Sequence, residues 1–237
     1  MKTLATIVTP PHVCSYLPDR LATLRYEFVS DLTQAEYEPM MHANWRRFGH
    51  SIFRAECDGC TMCRSIRVDV AKFKASQSQK RAWKANEGVV SLTVGVPGVT
   101  DEKLNLYDRY HSFQSDHVGW RDRDPKSAED YVDTFVDHPY PTQEWCYRLG
   151  GKLIGVGYVD DLPAGPSAIY FYYDPDERDR SLGTFNVLSI LEFAAARRRP
   201  YVYLGYFVEG CRSLQYKSNF RPNQLLNPDG TWADYRT

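Results

Sequence analysis

No stretch of this 237-residue chain approaches the roughly 20 consecutive apolar residues that cross a bilayer, which excludes a membrane helix. The opening residues, Met1 to Pro11, are too short and too broken by Pro10 and Pro11 for a secretion signal. The expectation is a cytoplasmic protein with reduced thiols. Cysteine is sparse, six in all, and in that compartment these read as metal ligands, reactive thiols or core residues rather than disulfides. Charge of one sign is also lacking. With 29 Lys and Arg against 30 Asp and Glu the chain carries a net −1, which excludes a uniformly basic nucleic-acid binder and an acidic solvating tail. Internal repeats and low-complexity segments are missing as well. What is abundant is aromatic: 17 Tyr, in a chain whose 43% apolar share is enough to bury the core of one large domain or two modest ones.

The even charge total hides an uneven spread. From His42 to Lys84 there are ten Lys and Arg against three acids, and the remainder of the chain is correspondingly acidic. A positive lobe on a near-neutral protein is the pattern of a polyanion-handling site, or else a solvated face paired with acids elsewhere. Trp45, Phe48, Phe53, Phe73 and Trp83 are interleaved there, as base-stacking or as core residues.

The periodicities predict an α+β chain. Tyr26 to Val29 reads as a strand, and the Thr33-x-x-Glu36 box starts a helix to about Arg47, kinked at Pro39. Ser65 to Val70 alternates as a strand, and Ser76 to Gln79 caps a basic helix through Ala85. A strand from Val89 to Val96 and helices over Asp101 to Val118 and Ser127 to Val136 follow. The back half then reads as a hairpin (Glu144 to Leu149, Lys152 to Val159), an aromatic strand (Ala168 to Tyr173), an apolar helix (Ser181 to Arg198), a strand (Tyr201 to Phe207) and a short helix (Leu214 to Phe220). This is a mixed sheet with helices. The expected division is a Cys-rich basic region, 1–88, ahead of a second unit, 89–237.

Cys57-x-x-Cys60-x-x-Cys63 places three thiols where one tight turn can aim them at a metal ion, with Cys14 the natural fourth ligand and His50 a lesser substitute. Zn and an iron–sulfur cluster both suit such ligands, and no nucleotide cofactor is called for. Cys146 and Cys211 read as small buried hydrophobes. Arg178 to Thr184 joins a strand to a helix, where backbone N–H groups attract phosphate. Its Arg-x-x-Gly core is reminiscent of the pyrophosphate loop of acyl-CoA N-acyltransferases, although Phe185 stands where that loop usually has Gly or Ala.

Taken in order, Cys14-Ser15-Tyr16-Leu17-Pro18, Trp45-Arg46-Arg47-Phe48-Gly49, the three-cysteine run with Arg64-Ser65-Ile66-Arg67, and Ser78-Gln79-Lys80-Arg81 resemble the front of aminoacyl-tRNA–protein transferases. Tyr170 to Pro175, Arg180 to Thr184, Tyr203-Leu204-Gly205-Tyr206 and Tyr216-Lys217-x-x-Phe220-Arg221-Pro222 resemble their back. The match runs from about Cys14 to Leu226. It is nearest the bacterial aspartate/glutamate leucyltransferase branch, which is related to the eukaryotic arginyltransferases. The resemblance implies a GNAT-like (acetyltransferase-like) fold in the back part. It also implies transfer of leucine from Leu-tRNA to the α-amine of proteins beginning with Asp or Glu, which marks them for degradation. The competing readings are an arginyl-tRNA donor, an acetyl-CoA-dependent N-acetyltransferase, and a metal- and RNA-binding module without activity.

On that reading Arg178, Arg180, Ser181, Leu182, Gly183 and Thr184 hold the end of the tRNA, and Tyr170, Tyr172 and Tyr203 line the aminoacyl pocket. Tyr206, also on the pocket wall, and Lys217, facing the oxyanion or else the tRNA, are the candidate catalytic groups. Tyr206 is out of phase with Tyr203, so a bulge at Gly205 is required if both reach one cleft. An acidic acceptor needs a positive partner, for which Arg46 and Arg47 or Lys80 and Arg81 are the candidates, with contact to the tRNA backbone as their other role.

Overall fold

The alternation that predicted strands in the back half builds a meander, β8 (Val90–Gly95), β9 (Thr142–Leu149), β10 (Lys152–Asp160) and β11 (Ser167–Tyr173), each antiparallel to the next. We describe it from a computed structural model covering residues 1–121 and 123–235. The sheet continues through β12 (Tyr201–Phe207), β7 (Arg64–Asp69), β13 (Asn223–Leu226) and β14 (Trp232–Asp234), giving eight strands in the order β14-β13-β7-β12-β11-β10-β9-β8. β7 therefore lies inside the sheet, between β12 and β13, although it comes from the front of the chain. This corrects the expected division: no structural boundary falls at residue 88, because a strand of the 1–88 region completes the sheet of the 89–237 region.

Helix α5 (Leu182–Ala196) connects β11 to β12, which run parallel. It is apolar nearly all round, and it fills one face of the sheet with Phe185, Leu188, Ile190 and Leu191 against Trp145, Tyr147, Val202 and Leu204. Helix α2 (Gln77–Asn86) packs beside α5. Its start is the expected capping box: Ser76 accepts from the Gln79 N–H, and Gln79 accepts from the Ser76 N–H. The other face is shared. Helices α3 (Asp101–Val118) and α4 (Ala128–Phe135) cover β10 and β11. Helix α1 (Gln34–His42) covers the β12 side with a four-stranded antiparallel sheet, β1 (Lys2–Val8), β4 (Leu24–Asp31), β6 (Ser51–Ala55) and β5 (Arg46–Phe48). A small hairpin, β2 (His12–Val13) with β3 (Leu21–Ala22), completes the front.

Helix α1 ends at His42, earlier than the periodicity predicted. Asn44 takes a left-handed φ of 67°, and the chain turns into β5. Among the described residues no helix is long and apolar enough to cross a membrane.

Candidate active site

β11 and β12 share one ladder position, Ser167 opposite Tyr203, backed by the Tyr203 N–H donating to the Pro166 carbonyl. Beyond it β11 runs on to Tyr173 and β12 to Phe207 without pairing, so the sheet opens as a wedge toward the carboxyl ends of two parallel strands. That is where open sheets place ligands. Two features stand at this end. The first turn of α5 follows β11, and a 3-10 turn carrying Lys217 (Gln215–Asn219) follows β12.

The turn before α5 is a 3-10 segment, Pro175–Arg180, ended by Ser181 in the left-handed region at φ 55°. That conformation is costly for a residue with a Cβ and is kept where a helix must restart abruptly. The Ser181 side chain makes no capping bond, so the first-turn N–H groups of α5 stay available. Ser181 is exposed, Gly183 and Thr184 are half-buried, and Leu182 points into the core. Leu182 therefore contributes its backbone and no side-chain contact. Arg180 pairs with Glu177 at 2.7 Å and donates to the Ala85 carbonyl at the end of α2. Arg178 is exposed. The end of α2 therefore meets the start of α5, while Lys80, Arg81 and Lys84, all exposed on α2, lie alongside Leu188, Leu191 and Glu192 farther along α5. They also rim a groove of about 580 Å³ between the two helices.

The wider basic lobe is mostly consumed by the fold. Arg47 is buried and saturated: it pairs with Asp160 at 2.7 Å and donates to Thr142 and the Gly49 carbonyl. Arg67 lies between the rings of Tyr201 and Trp232. Arg54 stacks on Trp45 and pairs with Glu56. Arg47 is therefore no surface for an acceptor or for tRNA, contrary to expectation.

A bulge is present at Gly205: its φ is +77°, and the β12–β7 register shifts between Tyr203 and Tyr206. It brings the Tyr206 carbonyl to the Lys217 Nζ at 2.7 Å. A Cβ on Gly205 would stand 3.6 Å from that amine. Lys217 is half-buried; burial, and then the nearby Arg46 guanidinium, push its pKa down to about 7. A neutral amine is thus available at physiological pH. Tyr206 differs from expectation. Burial pushes its phenol well above the ordinary range, and the hydroxyl donates to the Asn44 carbonyl at 2.7 Å. It serves through its ring and its carbonyl, not as an acid or base. Asn44 escaped the sequence reading. Its side chain also joins Ser65 to the Cys63 carbonyl, and an Asn just past a helix end was the available signal.

Of the pocket tyrosines, Tyr170 reaches the wedge. It is half-buried, with its hydroxyl 2.8 Å from His111 Nε2 and its ring 5.6 Å from Phe48. Phe48 and Phe53, from the small sheet, bridge Tyr170 to Tyr206 across the opening. Tyr172 and Tyr203 point to the predicted face but are sealed. Tyr172 bonds to Tyr131 among the α3 and α4 side chains, and Tyr203 contacts His42 under α1. Both are core residues, because helices cover that face where the sequence suggested a groove.

Cys14, Cys57, Cys60 and Cys63 are all half-buried and gathered in one corner. Burial and the neighbouring thiols, Cys14 first, push the Cys63 thiol up to about 12. Cys57 contacts Thr23, and Cys60 accepts from Arg20. As a donor set they suit Zn or an iron–sulfur cluster. In arrangement, no three His, Cys, Asp or Glu among the described residues stand together to hold an ion, so no reaction step is derived through a metal.

Comparison with known proteins adds to this geometry. The profile "Arginine-tRNA-protein transferase, N terminus" matches residues 12–81, and "Arginine-tRNA-protein transferase, C terminus" matches residues 102–227. A relative from Hahella chejuensis named aspartate/glutamate leucyltransferase is 35% identical over 232 residues, covering 97% of each chain. One of the same name from Marinobacter nauticus is 34% identical over 244 residues, covering 100% of this chain and 98% of its own. Among solved structures, FemX matches with a TM-score of 0.51 at 7% identity, over 86% of this chain and 82% of its own, a likeness of fold. Matched by both profiles and by relatives along nearly its whole length, the chain belongs to the arginine-tRNA-protein transferase family.

Proposed function

We propose that this chain moves leucine from Leu-tRNA to the α-amino group of proteins beginning with Asp or Glu, marking them for degradation. The observation that carries this reading is the convergence of the α5 start and Lys217 at the carboxyl end of the split parallel strands. A split of this kind beside a helix start fits a GNAT-like core, with the phosphate seat of a CoA-type cleft given to the tRNA 3′ end. The donor is named by the relatives.

The aminoacyl ester on tRNA is already activated, so no nucleotide is consumed. An α-ammonium has a pKa near ~8 and must lose a proton to attack. The neutral Lys217 amine takes that proton. The freed nitrogen attacks the ester carbonyl and forms the new C–N bond. The C–O bond to ribose then breaks, and the second proton of the nitrogen passes to the ribose oxygen. Arg178, Arg180 and the first-turn N–H groups of α5 hold the phosphate, with Lys80 and Arg81 along the incoming strand. Alignment supplies most of the acceleration.

The test mixes the protein with individually labelled aminoacyl-tRNAs and peptides beginning with Asp, Glu, Arg or Ala. Label from Leu-tRNA should enter only the acidic-start peptides. Label from Arg-tRNA alone, or acetylation from acetyl-CoA alone, overturns the reading. Cys14, Cys57, Cys60 and Cys63 belong to the same proposal as a soft-metal set by their donor chemistry. Metal content should be about one ion or cluster per chain and fall on Cys60→Ser; chelator-free protein without metal refutes it.

A further inference from the structure

Arg46 and Arg47 are neighbours on β5, both buried, with opposite fates. Arg47 is fully engaged around Asp160. Arg46 is 8% exposed and donates from Nη1 to the Trp45 carbonyl at 2.6 Å, while its Nε and Nη2 have no hydrogen-bond partner among the described residues. Those two nitrogens form one edge of the guanidinium, the fork that takes both oxygens of a carboxylate side by side. A buried cation with an open edge is unfavourable unless something pairs it. The ring of Tyr206 lies against the group, its centroid 5.4 Å from Cζ, and the carbonyl of the same Tyr206 holds Lys217.

We propose that the Nε–Nη2 edge of Arg46 receives the side-chain carboxylate of the acceptor's N-terminal Asp or Glu, which makes Arg46 the residue that sets acceptor specificity. This rests on the transfer reading above. In an N-terminal acidic residue the carboxylate and the α-amine are a few bonds apart, so seating one on Arg46 brings the other toward Lys217, across the single residue Tyr206. A side chain can enter a seat this buried, whereas a phosphodiester fixed in a folded tRNA stays at the surface. Both open nitrogens are sealed from solvent in this structure, so the seat loads as the surrounding side chains part.

The test uses Arg46→Met, which keeps the length and removes the fork, and Arg46→Lys, which keeps the charge and removes the fork. Peptides beginning with Asp, Glu, Asn or Gln are titrated without tRNA, and are also assayed for leucyl transfer. Arg46→Met should lower binding and kcat/KM for Asp- and Glu-start peptides by about 100-fold, mostly in KM, and level Asp with Asn. Arg46→Lys should fall between. Affinity for tRNA should not change, and the melting midpoint should hold or rise, because an unpaired buried charge has gone. Retained preference for Asp over Asn in Arg46→Met overturns the proposal. So does loss of tRNA affinity with that preference intact, which would make Arg46 a phosphate contact, or a lowered melting midpoint in both variants, which would make it structural. Wild-type protein that discriminates Asp from Asn in the titration but transfers no leucine defeats the donor assignment and leaves Arg46 standing.

Discussion

At the residue scale the contrast between Arg46 and Arg47 decides how the site is read. Arg47, Asp160, Thr142 and Tyr37 form one buried cluster in which every strong group has a partner. Asp160→Asn leaves the Arg47 charge uncompensated, and urea unfolding should show a loss of about 3–5 kcal/mol. Nothing in the sequence separated the two arginines; identical side chains on adjacent strand positions face opposite ways, and what waits on each side is set by distant residues. Lys217 carries the second prediction. With its pKa near 7, transfer should rise with pH through about 7. Lys217→Ala should lower kcat by roughly 10²- to 10⁴-fold and leave only the inflection of the acceptor amine, near ~8. The stability sign follows. A folded pKa below the ordinary 10.5 means that the unfolded chain binds more protons between the two values. Lys217→Met should therefore be more stable than the parent at neutral pH, and that gap should close as pH climbs toward 10.5.

At the element scale, long periodic segments were legible and short ones were not. The helices over 77–86, 101–118 and 182–196 and the hairpin of β9 and β10 follow their predicted positions, because capping boxes, apolar spacing and the Gly150-Gly151 turn are local signals. β5, β6 and β13 have three to five residues each and no pattern of their own, so tertiary pairing alone makes them strands. The Gly205 bulge is present although the condition that suggested it, Tyr203 and Tyr206 sharing one cleft, is not met. Gly205→Ala forces a Cβ into a φ of +77° and toward the Lys217 amine. It should cost about 1–2 kcal/mol in thermal unfolding and depress activity further than that loss explains. A stability loss with unchanged kcat would show that the bulge does not set the position of the amine.

At the scale of the whole molecule, the basic excess between His42 and Lys84 did not produce one positive lobe. Arg46, Arg47 and Arg67 went into the interior, while Lys80, Arg81 and Lys84 form a solvated row on α2. That row runs along the flank of α5, and as a run of solvated cations it is the surface for a polyanion. Lys80→Glu with Arg81→Glu should weaken tRNA binding at all sequences and reduce the slope of log K against log salt by about two contacts' worth, while Asp-start peptide binding persists. Equal loss of both would place the acceptor on α2 instead. The face opposite α5 was misjudged for a related reason. Alternation tells which tyrosines share a side, but α1, α3 and α4 choose which stretches of that side they roof over, and only Tyr170 was left at the opening.

The amine of Lys217 is moored to a peptide oxygen, the carbonyl of Tyr206. Its address is thereby independent of what residue 206 happens to be, provided that the kink before it survives. A substitution series at that position should disturb the ring under Arg46 while the proton acceptor keeps its place. Recognition of the incoming protein and chemistry upon it can then drift apart during evolution, or be retuned in the laboratory, one without the other.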